Sequence, residues 1–415
     1  MSVYRNQFLH TKVIDPILNN KNRCVFRLPA EVCVKKSLSL GGLGVEMGPT
    51  PPYFLTEIGG ITNLIKSISL RVGGTQIDFN NHVSDTCVLE NLRSTSTKAN
   101  GLDSVTKYNK LDFKNTITTI INSPGEAVTR IKSVAKLATP VTLELDGKIF
   151  LYELLQFFNG NHNIEGISNE LLPLNIFKNV GNIELQIEWQ TDPLILVNKA
   201  TATFQNVNTP TLLMECLDTS SNLYNVMSQI KTPIAINFNR LEQETINYPA
   251  SVANVPLIVR ERLNQPVGKY VKRMCVLNVS SKATADLGSS KSTASYHETY
   301  QFNINGKQVI DYRSENSAEK VMNFCNAWGD YLCPVGGRKP LNTNSKFITT
   351  KNAVLRDELD GNASLFGLNV NQRIESMELD YSHVYTGIIV PGRLSLLYET
   401  DNIVGVLNDI LTVSF

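Results

Sequence analysis

Apolar and polar residues alternate with a period of two along much of the chain. In the stretch 67–72, Ile68, Leu70 and Val72 alternate with Ser67, Ser69 and Arg71, the pattern of a strand with one buried face. Gly73 and Gly74 follow, and a second extended run ends in Asp78 and Phe79. A Gly-Gly pair between two such runs predicts a tight hairpin turn, because those turns need positive φ, where a Cβ would clash. A near copy lies downstream. Phe302 and Ile304 alternate with Asn303 and Asn305, Gly306 turns the chain, and Ile310-Asp311-Tyr312 closes it.

A second pair of stretches matches as well. "LQIEWQTD" (185–192) aligns with "LSLLYETD" (394–401), setting Leu185, Ile187 and Trp189 against Leu394, Leu396 and Tyr398. Two matches about half the chain apart predict a duplicated unit whose loops have diverged. The stretches 93–116 and 280–295 have the Ser/Thr/Gly-rich composition of such loops. Further strands are predicted at 23–28, 141–145, 201–207, 233–238, 272–279, 373–381 and 386–390, and helical patterns at 84–93, 126–137, 149–158 and 317–328. Many short strands joined by Gly, Pro and Asn turns predict an all-β fold of two tandem eight-stranded jelly rolls with a few short helices in the loops. The prolines near 193–210 place the boundary there, giving domains 1–200 and 201–415.

Composition agrees with a packed chain. Of 415 residues, 42% are hydrophobic and 19% charged, with a net charge of +1. That length favours two cores over one, and the near-zero charge gives no reason to expect sequence-specific nucleic-acid binding or a polybasic membrane anchor. No apolar run approaches the length of a membrane span, and the first residues lack the apolar core of a secretory signal. Seven scattered cysteines without a C-x-x-C pair are expected to be free, buried thiols.

The search for chemistry returns little. His10, His82, His162, His297 and His383 are spread along the chain without the paired spacing along one strand that a metal-binding jelly roll uses. His162 lies in the polar stretch "NGNHNIEG" and is expected in solvent. Asp78 and Asp311 are expected to accept backbone N–H groups at strand ends. The Gly-Gly-Arg-Lys at 336–339 reads as a solvated turn, and no nucleophile elbow or phosphate loop is present. No catalytic, cofactor or metal residue is expected, and the chain is not expected to be an enzyme. The structural residues singled out are Gly73, Gly74 and Gly306 at turns, with Leu185, Ile187, Trp189, Leu394, Leu396 and Tyr398 in the duplicated core strand.

Two places resemble the double jelly-roll major capsid proteins of icosahedral DNA viruses, the group of adenovirus hexon, virophages, polinton-like viruses and large DNA viruses. "LIKSISLRVGGTQID" (64–78) looks like that family's early strand, Gly turn and Ile-Asp ending. The stretch 141–189 resembles the end of its first barrel, with an aromatic short helix, Leu172-Pro173-Leu174 and then a last strand. The resemblance implies a structural protein of the virion capsid, made inside the host cell. It implies a homotrimer forming a pseudo-hexameric capsomer, in contact with neighbouring capsomers and with penton and minor capsid proteins, and it leaves an internal membrane open. It also implies loops from 93–140 and 278–296 facing outward and an N-terminal arm over 1–20 that lies on the inner side or reaches a neighbour. The competing reading is a tandem β-sandwich of carbohydrate-binding or adhesin type, which would need exposed aromatic platforms.

Overall fold

The computed structural model describes residues 9–48, 64–83, 148–191, 203–222, 233–280, 298–309, 365–383, 391–407 and 409–414, with short pieces between them. Strand pairing throughout is antiparallel, as expected where one face of each sheet is buried and the other solvated.

The first half is a sandwich. One sheet runs Leu18–Asn19, Arg23–Leu28, Ile183–Trp189, Ile65–Val72, Thr75–Asn80. The other runs Lys148–Phe150, Ser39–Gly41, Thr211–Leu217, Val32–Val34, Leu171–Pro173, with Leu9–Ile14 paired to Thr211–Leu217. The alternation read in the sequence decides which side chains meet. Ile183, Leu185, Ile187 and Trp189 are buried while the residues between them are half-buried, and they pack with Phe26, Leu70, Phe157 and Phe177 in the first core. Two smaller sheets pair Gly44–Gly48 and Tyr53–Phe54 with strands from the 111–145 region.

The second half repeats the plan. Its larger sheet orders Asn161–His162, Ile234–Tyr248, Gly392–Leu407, Tyr270–Ser280 and Leu365–Arg373, with Ile410–Ser414 added to Gly392–Leu407. The facing sheet orders Leu257–Leu263, Met377–His383, Glu298–Ile304 and Lys307–Gln308. Between them lies an aromatic core. Tyr300 stacks on Phe366 at 5.5 Å and leans on Tyr381 at 5.1 Å, and Phe302 stacks on Phe366 at 5.8 Å. Leu394, Leu396 and Tyr398 point into this core.

Ile183–Trp189 and Gly392–Leu407 hold the same place in their sheets, each central between an early strand and the next long one. The hairpins do not. Gly73 and Gly74 turn with φ of +55° and +86°, and Asn305 and Gly306 with +54° and +72°, so both turns are left-handed. The 65–80 hairpin, however, pairs with the central strand Ile183–Trp189, whereas Glu298–Ile304 pairs with Met377–His383 in the opposite sheet. Matching one hairpin to the other is therefore corrected: alternation around a Gly turn encodes a hairpin but not the sheet that receives it.

Other expectations are also revised. The helix expected over 149–158 is the strand Lys148–Phe150 followed by two 3-10 turns, Leu151–Glu153 and Gln156–Asn159. Within the helix expected over 126–137, the described residues form the strand Lys132–Val134. Residues described in the 84–93 and 317–328 stretches, Asp85, Thr86, Leu89 and Asn326–Trp328 among them, are helical. The strand expected at 386–390 and the residues Asp311, His297, Cys87, Cys325 and Cys333 lie outside the described residues. Cys24, Cys33, Cys216 and Cys275 are buried and in no disulfide. Among the described residues no helix is long and apolar enough to cross a membrane.

Residues beyond position 200 help to close the first core. Leu212, Met214 and Cys216 belong to it, and so do Ile236, Phe238 and Val404 from the two long strands of the second half. The strand Ile234–Tyr248 pairs with Gly392–Leu407 over its full 15 residues. This ladder starts in the first core and ends in the second.

Candidate functional site: the junction between the two sandwiches

The densest buried polar chemistry among the described residues sits where the halves meet. Its first part is Asp78, at the end of the first hairpin and 1% exposed. The Phe79 N–H donates to its Oδ1 at 2.8 Å and the Phe157 N–H to its Oδ2 at 2.9 Å. The carboxylate thus ties the hairpin to the 3-10 turn Gln156–Asn159, as its expected strand-end role requires. Burial pushes its pKa up to about 7, against the Phe157 N–H, the Arg240 charge and the Phe79 and Gln156 N–H groups, which all pull it down. Phe157 then meets Phe238 of the second half edge-on at 5.6 Å.

The Arg240 guanidinium lies 4.7 Å from the Phe79 ring centroid and donates to Glu242 Oε1 at 2.8 Å. Glu242 also binds Lys269 and accepts from Thr400 Oγ1 at 3.1 Å. Burial alone would raise the Glu242 pKa, but the bonds and charges of Lys269 and Arg240 hold it below its ordinary value. Buried ion pairs of this kind fix geometry more than they add stability.

The third part is Asp85, on the helical turn after the hairpin. Arg393 grips it with both terminal nitrogens, Nη1 to Oδ2 at 2.9 Å and Nη2 to Oδ1 at 2.8 Å. Ser395 Oγ donates to Oδ2 at 2.7 Å and Gln243 Nε2 binds the same oxygen. A fork-on-fork Arg–carboxylate pair sets orientation as well as energy. It explains why the strand Gly392–Leu407 is buried on both faces over residues 394–400: Leu394, Leu396 and Tyr398 face the second core, and Ser395 faces the first half. His82 is buried nearby, and burial pushes its pKa down to about 4 against the pull of Asp85 and Glu242.

The sequence-selected residues fall in different places. Gly73 and Gly74 are at the outer turn of the first hairpin, with the Gly73 N–H donating to Asn182 O at 3.0 Å, and Gly306 is at the far edge of the second sandwich. The six core-strand residues lie in two separate cores. His162, expected in solvent, is 6% exposed. Its Nε2 lies 3.2 Å from Ser168 O, because Asn161–His162 pairs with Ile234–Tyr248 and the following loop folds over it. The junction residues Asp85, Arg240, Glu242 and Arg393 carry no sequence motif, since partners such as Asp85 and Arg393 stand far apart in the chain. The one available signal was charge on strands that otherwise read as core.

No family model and no curated protein matches this chain. Solved structures do, over its whole length. PBCV-1 VP54, fitted into a reconstruction of the virophage Sputnik, is 11% identical with a TM-score of 0.61, covering 100% of this chain and 99% of that one. The Sputnik virophage structure is 10% identical at a TM-score of 0.56, covering 99% and 88%. The mavirus major capsid protein is 10% identical at a TM-score of 0.51, covering 99% and 90%. The fold is a double jelly roll. It is the fold of viral major capsid proteins such as that of mavirus.

Proposed function

We propose that this chain is a structural major capsid protein, located in the virion, which trimerises into pseudo-hexameric capsomers that tile an icosahedral shell. The observation that carries the reading is the fused pair of sandwiches, matched end to end by capsid proteins at almost their full length. Two similar but unequal barrels per chain give a trimer with six barrels in a ring, nearly six-fold in outline and three-fold in symmetry. Closure needs a heterologous contact repeated around the ring, and barrel one against barrel two of the next subunit supplies it. The first jelly roll takes residues 1–200 and borrows Thr211–Leu217 to complete its sheet, and the second takes the remainder to 415. Neighbouring capsomers, penton and minor capsid proteins are its partners. Loops drawn from 93–140 and 278–296 face outward, whereas within the expected N-terminal arm Leu9–Ile14 and Leu18–Asn19 are strands of the first sandwich.

Catalysis has no support in the junction, whose charged groups are committed to one another. The carbohydrate-binding alternative is disfavoured by the surface. Trp189 and Trp328 are both buried, and Tyr270 is the exposed aromatic among the described residues. Size-exclusion chromatography with light scattering should give about three times the 46.1 kDa chain mass, with an interface above about 2,000 Å². A protein that stays monomeric at micromolar concentration would overturn the proposal.

A further inference from the structure

A row of ligating side chains crosses three strands at the edge of the first sandwich. His10 on Leu9–Ile14 stands directly opposite Cys216 on Thr211–Leu217, and Cys216 stands opposite Cys33 on Val32–Val34. Directly paired residues of antiparallel strands share a face, and Glu31, in the bend just before Val32–Val34, reaches the same place. One ligand atom each from His10, Glu31 and Cys216 lies within 4.8 Å of the others, with His10 Nε2 and Glu31 Oε2 at 3.9 Å.

We propose that His10, Glu31 and Cys216 bind a divalent zinc-type cation, with water in the fourth position, and that the ion clamps the first strand onto the first sandwich. Imidazole, carboxylate and thiolate are the zinc ligand set. Tetrahedral zinc with bonds of about 2.0–2.3 Å spaces its ligand atoms about 3.3–3.8 Å apart, so the cluster must close by only about 1 Å. Its two outer members can move: the His10 and Glu31 side chains are 40% and 19% exposed. Cys216 is fixed, at 0% exposure.

A second observation points the same way. Lys12 holds Glu31 Oε1, while Glu31 Oε2 is buried 3.9 Å from His10 Nε2, too far for a hydrogen bond between them, and the Cys216 thiol leans on the same carboxylate. A buried carboxylate oxygen left open beside an imidazole and a thiol is a place for a cation. Thiolate and carboxylate together offset the dication, Lys12 leaves the cluster at +1, and binding releases the thiol proton to solvent. Lys12 on the other oxygen keeps the carboxylate oriented, as outer partners of metal ligands do. Spacing along one strand gave no such site, because the ligands come together by pairing across strands.

The test uses the full chain. After dialysis against zinc and gel filtration, elemental analysis should find about one zinc per chain. Replacement by cobalt(II) should give a near-ultraviolet thiolate-to-cobalt charge-transfer band. Cys216→Ser should abolish the band. His10→Ala, at a half-exposed position whose strand is held by backbone pairing, should weaken binding at least tenfold with an unchanged circular dichroism spectrum, and so decides the matter if the serine variant does not fold. Chelation should lower the melting temperature of the wild type and leave that of His10→Ala unmoved. Substoichiometric zinc without the band, or zinc retention in both variants equal to that of the wild type, means an adventitious ion only and overturns the proposal.

Discussion

At the scale of single residues, two buried titrating groups at the junction oppose each other. Asp78 titrates at about 7 in the fold and near 3.9 in an unfolded chain. Its stabilising contribution is fully present below pH 4 and is lost as pH rises through 7. His82 titrates at about 4 in the fold instead of 6.5, so it costs stability as pH falls through the same window. The wild type should therefore show a muted pH dependence. Asp78→Asn removes one side of the balance. Its stability change from pH 7 to pH 5 should be less favourable than that of the wild type by about 2 kcal/mol, read from urea unfolding at each pH. Parallel pH profiles would show that Asp78 is not the titrating group. Gly181 offers a steric prediction: a Cβ there would sit 2.5 Å from the Gly73 Cα, whereas one at Gly74 meets nothing within 4 Å. Gly181→Ala should cost about 1–3 kcal/mol through backbone displacement. Gly74→Ala should cost about 1 kcal/mol, from its positive φ alone. Equal melting temperatures for the two variants would contradict the close approach.

At the scale of elements, the strands were legible and their partners were not. Arg23–Leu28 and Ile183–Trp189 fall where their alternation places them, because period-two burial is a local property. From sequence the ladder Ile234–Tyr248 reads as a short strand, 233–238. The next buried positions after Phe238 are Arg240 and Glu242, and a charged residue inside a strand reads as exposed until its partner is known. The aromatic run at 149–158 reads as helix for a similar reason: Leu151, Leu154, Leu155 and Phe158 have helical spacing, yet tight 3-10 turns bury the same side chains. The junction was the least legible part, since the ligands of Asp85 come from another domain's strands. Phe238 tests how far the elements depend on each other. It is 5% exposed in the first core although its strand belongs to the second sheet. Phe238→Ala should cost about 3–5 kcal/mol. It should also split a single calorimetric transition into two as the sandwiches uncouple; one sharp transition in the variant would mean that the halves do not communicate through this strand.

At the scale of the whole molecule, the halves are joined by more than a linker. Asp85 to Arg393, Phe157 to Phe238 and the shared ladder all cross between them. A chain ending at residue 200 would lack Leu212, Met214, Ile236, Phe238 and Val404 from its core. Such a fragment should be insoluble or molten, with near-ultraviolet circular dichroism lost, while the full chain is native. A well-packed fragment would argue for independent domains. The ladder also has a mechanical meaning. Fifteen paired residues at about 3.3 Å each make a rib roughly 50 Å long, with hydrogen bonds perpendicular to its axis. A pull along that axis loads all of those bonds at once in shear, whereas a pull across it opens them one after another like a zip. The protein should therefore be stiff along the rib and compliant across it.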